Sequence, residues 1–92
     1  MLNLKAKYEQ LKLMLRIEGL NIDEFEDNIL GNYFQVNTKK DDIAITVYQD
    51  LERNSLEVYI EKFIKFKWDR LEQKYYKTAK GAYNNIIKNM GK

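Results

Sequence analysis

The amino-acid sequence predicts a single α+β domain over residues 1–92: a small three-stranded antiparallel meander flanked by helices, in the order α-α-β-β-β-α. Three observations predict it. Apolar residues recur at helical spacing near the N-terminus, alternate with polar ones between Phe34 and Ile60, and return to helical spacing after Leu71. A chain of 92 residues makes one domain, and 45% hydrophobic content suits one packed core rather than a disordered tail.

Leu4, Tyr8, Leu11 and Leu15 place an apolar stripe on a first helix over residues 4–18. Leu13, Met14 and Ile17 widen that surface, so the helix is expected to be well covered. Gly19 follows as a left-handed C-terminal cap, with Leu20 as the apolar residue beyond it. A second helix is expected at once. Asn21 caps it, Glu24 completes a capping box, and Leu20 with Phe25 forms a hydrophobic staple. Asp23, Glu24, Glu26 and Asp27 suit the positive end of its dipole, Ile22, Phe25 and Ile29 form its buried stripe, and Gly31 stops it.

The period then changes to two. Strands are expected at about 33–38, 43–50 and 56–66, separated by polar turns at 39–42 and 50–55. Tyr59, Phe63 and Phe66 also fit a helix face, so the third strand is less defined past Lys62. A last helix starts at Asp69, with Glu72 as its capping partner and Leu71, Tyr75, Ala79, Ala82, Ile86 and Met90 as its stripe. Lys88 in its last turn and Gly91 just past it suit its C-terminal end. A competing reading starts this helix at Thr78 and makes 73–77 a short fourth strand.

The composition excludes several chemistries. There is no Cys, His or Pro. No disulfide framework, thiolate nucleophile, histidine base or ordinary zinc site can be built. The four glycines are isolated and form no phosphate-cradling loop. Carboxylate pairs such as Glu24 and Asp27 lie on a surface expected to be open, where nothing would tune them. No enzymatic activity, metal or cofactor is therefore expected. No run approaches the roughly 18 apolar residues of a membrane span, so no membrane partner is expected. Without Cys, and with charges throughout the N-terminal segment, a cytoplasmic location is expected.

The formal net charge of +2 hides an asymmetry: residues 1–52 hold six basic and ten acidic groups, residues 53–92 ten basic and four acidic. Two binding surfaces follow. The first combines the acidic Asp23, Glu24 and Asp27 with Tyr33, Tyr48 and Tyr59, which share the parity opposite to the core and form a patch suited to protein contact if all three face outward. Helix-dipole satisfaction accounts equally for most of those carboxylates. The second is basic. Arg70, Lys74, Lys77, Lys80 and Lys88 fall opposite the stripe of the last helix, and Lys65 and Lys67 on the third strand add to it. With interleaved aromatics they could hold phosphates and unpaired bases, although a solvated helix face explains them too.

Two resemblances add to this. Lys77-Thr78-Ala79-Lys80-Gly81-Ala82 resembles the start of the second helix of double-stranded RNA-binding domains, although the Gly-Pro-x-His loop of those domains has no counterpart. In size, Lys- and Asn-rich usage and layout, the whole chain is similar in type to small phage-encoded inhibitors of host defence, including anti-CRISPR proteins. That likeness implies a stoichiometric binder from a phage or mobile element that docks on a host nucleic-acid-handling protein. The alternative is a nucleic-acid-binding domain using the basic half. A homodimer through a sheet edge or aromatic patch is the third expectation.

Overall fold

α1 (Leu4–Ile17) begins where the Asn3 side chain accepts the Ala6 amide at 2.8 Å. Its stripe of Leu4, Tyr8, Leu11 and Leu15 is buried. It ends as expected. Gly19 sits at φ +90°, its amide donates to Arg16 and the Leu20 amide to Leu15, the paired bonds of a Schellman motif. Leu13 and Ile17 are exposed, so the coverage expected of this helix is narrower than its apolar content.

This computed structural model describes residues 3–29, 31–38 and 40–90. Beyond α1 it contains β1 (Ile22–Phe25), β2 (Tyr33–Val36), β3 (Ile43–Asp50), β4 (Ser55–Ile64), β5 (Lys67–Tyr76) and α2 (Ala79–Asn89). The strands form one antiparallel sheet in sequence order, β1-β2-β3-β4-β5. The expected three-stranded meander in the order α-α-β-β-β-α is thus overturned. The order is α-β-β-β-β-β-α, and two segments read as helix are edge strands.

The first of these is β1. Its residues alternate: Ile22 packs on the core and Glu24 reaches α1, while Asp23 and Phe25 take the opposite face. The capping signals at Asn21 and Glu24 describe a chain end without neighbours. The backbone pairing with β2 and the pull of two α1 cations on Glu24 outweigh them. Ile29, expected in a helix core, is 93% exposed in the connecting turn. Gly31, at φ +78°, closes that turn rather than a helix, its amide donating to the Asp27 carbonyl.

The second is β5. The β4–β5 register passes from Ile60↔Glu72 to Glu61↔Arg70, leaving Leu71 as a bulged residue. A bulge breaks period two, and it left Leu71, Tyr75 and Ala79 at a spacing that imitates a helix. The helix starts only at Ala79, where the Thr78 hydroxyl accepts the Gly81 amide at 3.1 Å. The competing start at Thr78 was the nearer one, with a strand before it much longer than 73–77. A Cβ at Gly81 would lie 3.0 Å from the Tyr76 ring, which accounts for glycine in this first turn. The cap expected at Gly91 lies outside the described residues.

Both helices cover one face of the sheet and pack on each other. Phe34, Val36, Ile45, Val47, Leu56, Val58 and Ile60 point to them from the strands. Asn85 anchors α2 to β5 by donating to Glu72 at 2.8 Å and to the Tyr76 hydroxyl. Tyr8 packs its ring on Phe34 at 5.3 Å, but its hydroxyl is buried with no hydrogen-bond partner among the described residues. Burial and the nearby Glu24 and Glu9 hold that phenol well above the usual tyrosine range. Leaving a buried hydroxyl unpaired costs about 1–3 kcal/mol. Tyr8→Phe is therefore expected to raise stability by about 1 kcal/mol, read as a higher urea midpoint at unchanged slope.

Candidate protein-binding face

The face of the sheet away from the helices carries an aromatic row. Phe25 stacks on Tyr33 with ring centroids 5.2 Å apart, Tyr33 meets Tyr48 at 5.1 Å, and Tyr48 meets the edge of Tyr59 at 6.1 Å. One residue from each of β1 to β4 thus forms a continuous stripe across the strands, as cross-strand neighbours on one face do. Antiparallel pairing puts these residues together: Phe25 lies opposite Tyr33, Thr46 opposite Tyr59 and Tyr48 opposite Glu57.

β5 closes the stripe with cations and amides. The Arg70 guanidinium sits 5.7 Å from the Tyr59 ring centroid, donates to its hydroxyl at 3.0 Å and to Gln73 at 2.8 Å. Gln73 in turn donates to the Tyr75 hydroxyl at 3.1 Å and to Glu57. Arg53 lies 4.3 Å over the Tyr75 ring and pairs with Asp50 at 2.8 Å. The Arg53 backbone amide, more than its guanidinium, holds the Asp50 carboxyl below the usual range. Burial, reinforced by the neighbouring Tyr33 and by Glu61 and Glu57, pushes the Tyr48 phenol up. Tyr48 therefore presents a neutral hydroxyl at physiological pH.

Acidic groups flank the stripe. Asp23 stands opposite Gln35 in register and Glu61 opposite Ala44, so both share the face. Neither makes an ion pair among the described residues. Beside Tyr48 and Tyr59 a shallow depression of about 590 Å³ is lined by Glu57, Glu52 and the side chains of Ile29 and Leu51.

The acidic residues picked from sequence separate. Asp23 joins the tyrosines. Glu24 points to the helix side, accepting from Lys12 at 2.6 Å and Arg16 at 3.2 Å. Asp27 sits in the loop after β1, accepting the Ile29 amide at 2.7 Å. No acidic helix exists to present them as one surface.

The Lys12–Glu24 pair is structural. The Lys12 hydrogen bond holds the Glu24 carboxyl below its ordinary value against a smaller desolvation effect. Burial of Lys12 opposes its charge, but bonds to Glu24 and Glu9 together outweigh it and raise its pKa. The Glu24 contribution is present above its unfolded pKa and is lost as pH falls through its lower folded value. The Lys12 contribution is complete below its unfolded pKa and is lost as pH rises through its higher folded value. Glu24→Gln is expected to cost about 1 kcal/mol at neutral pH, because Glu24 is half exposed, and the gap to wild type should close in acid. Urea midpoints measured from neutral to acidic pH check this.

The basic residues do not gather. Lys65 lies in the β4–β5 turn and Lys67 starts β5, 3.6 Å from Asp69. Arg70 belongs to the aromatic face. Lys74 lies opposite Val58 on the other face, 3.7 Å from Glu72. Lys77 donates to the Arg53 carbonyl at 2.6 Å, and with Lys80 and Lys7 lines a separate cleft of about 600 Å³ at the start of α2. Lys88 is in the last turn of α2. The basic helix face expected from sequence does not exist, because Arg70 and Lys74 are strand residues.

Phe25, Tyr75 and Arg53 belong to the aromatic face, and no local pattern assigns them to it: Phe25 and Tyr75 fit helical stripes by their spacing, and the Arg53 contact crosses from the β3–β4 turn to β5. Among the described residues no cluster of His, Cys, Asp or Glu is placed to hold a metal ion, and no helix is long and apolar enough to cross a membrane. No protein-family model matches the chain, nor does any curated protein or solved structure.

Proposed function

We propose that the chain is a non-enzymatic binding module that docks through its helix-free sheet face on a basic surface of another protein. The carrying observation is the unbroken aromatic row from Phe25 to Tyr59 on the helix-free face, with Phe25 exposed and the three tyrosines half-buried, flanked by Asp23, Glu57 and Glu61. Tyrosine supplies large contact area at small entropic cost, with a polar tip for hydrogen bonding, and is enriched where proteins meet. The acidic flanks favour a cationic partner. Surfaces rich in Lys and Arg are those that bind phosphodiester chains, so the partner proposed is a nucleic-acid-handling protein. Covering such a surface would exclude its nucleic acid, the inhibitory role that the likeness in type to phage-encoded inhibitors implies. The face is open and shallow, with no enclosure to desolvate a reacting group, which supports binding over catalysis.

The test is affinity capture from a host lysate, followed by titration of the purified candidate partner. Asp23→Lys with Glu57→Lys is expected to weaken binding by about tenfold or more, while Lys74→Glu with Lys77→Glu leaves it intact. The reverse pattern, or direct retention of DNA or RNA that falls steeply with salt, would overturn the proposal in favour of nucleic-acid binding.

A further inference from the structure

The β4–β5 hairpin ends in a two-residue turn, Lys65 and Phe66, with both residues at positive φ (52° and 67°). Such a turn ordinarily takes Asn-Gly, and a bulky aromatic in this region is a backbone outlier. Phe66 is 94% exposed, so packing within the chain does not offset its strain. Its neighbours are also exposed and apolar. Phe63 and Trp68 are register partners on one side of the hairpin, their rings edge to face at 5.3 Å. Ile64 points to the other side. Apolar side chains therefore lie on both sides of the tip and at its end.

Lysines interleave with these residues at positions 62, 65 and 67, and no carboxylate occurs between 62 and 68. Three acids flank the tip: Asp69, opposite Lys62 in register and 3.6 Å from Lys67; Glu61, opposite Arg70 and on the face of Phe63; and Asp42, whose carbonyl accepts the Phe63 amide at 2.8 Å. Lys65 makes no ion pair among the described residues.

We propose that this tip is an interfacial anchor that enters the headgroup region of a bilayer containing anionic lipid. A groove in a protein or nucleic acid covers one side of a projecting hairpin. A fluid interface surrounds it and covers Phe63, Ile64, Phe66 and Trp68 together. Aromatic rings favour this depth, and the lysines meet the anionic headgroups. The absence of a long apolar run bears on spanning a membrane and not on such an attachment.

Trp68 is the only tryptophan, so its emission reports directly on the tip. Titration of the full chain with phosphatidylglycerol/phosphatidylcholine vesicles is expected to shift that emission to the blue and to co-sediment the protein. Added salt or pure phosphatidylcholine should weaken both. Phe66→Gly relieves the turn, so its urea midpoint should rise while vesicle partitioning falls about tenfold. Tyr48→Ser, on the protein-binding face, should leave partitioning unchanged, which separates this proposal from the previous one. Wild-type partitioning by Phe66→Gly, no response to anionic vesicles, or a Trp68 response to oligonucleotides in place of vesicles would each overturn it.

Discussion

Phe34→Ala is expected to lower stability by about 3–5 kcal/mol, the largest single effect in the molecule. Phe34 is fully buried, and its ring lies on Tyr8 of α1 while its backbone pairs with Val47 of β3. The substitution removes the ring contact between α1 and β2 and leaves a cavity in the core that the close-packed neighbours fill only in part. A domain of this size has only about 5–15 kcal/mol in total, so the variant should be partly unfolded at moderate temperature. The expected melting temperature falls by well over 10 °C, since about 1 kcal/mol shifts it 4–8 °C in chains of 60–100 residues. A melting curve by circular dichroism measures it, and a loss of under about 1 kcal/mol would show that the helices and sheet do not share this core.

Tyr48→Ser with Tyr59→Ser is expected to weaken partner binding by at least about 30-fold, equivalent to roughly 2 kcal/mol. Tyr48 is the centre of the row, touching Tyr33 on one side and Tyr59 on the other. Removing both rings divides the stripe and leaves Arg70 without the ring and hydroxyl it holds. The two effects should not add, because the rings touch each other. The fold should lose less than the interface, since cross-strand pairs contribute about 0.2–1 kcal/mol each and the main core lies on the other face. Titration calorimetry against the identified partner, with urea melts of the same proteins, separates the two. Equal affinity in wild type and variant, with both folded, would remove the aromatic face from the binding site.

How much of this was legible in the sequence differs from element to element. The stripe of α1, its Schellman end at Gly19 and the period-two strands β2, β3 and β4 are local patterns, and they were readable from spacing alone. So was the shared parity of Tyr33, Tyr48 and Tyr59. Strand β1 and strand β5 were not. The capping signals at Asn21 and Glu24 are real local preferences, worth a few tenths to about 1 kcal/mol each. Pairing with β2 and the Lys12–Glu24 contact exceed them, and both join residues distant in sequence. In β5 one bulged residue, Leu71, shifted the periodicity by one position and made a strand resemble a helix.

The sequence by itself determined the absence of Cys, His and Pro, the α+β class, the core-facing residues of α1, β2, β3 and β4, and the acidic and basic halves. Tertiary structure alone decided how the charged residues are distributed. It sent Glu24 to α1, left Asp23 beside the tyrosines, and spread Lys65, Arg70, Lys74 and Lys77 over different surfaces. The physical reason is that side-chain facing in a sheet alternates residue by residue, so neighbours in sequence part company. Register then brings residues from β1 to β5 onto one face, and no local pattern contains that register.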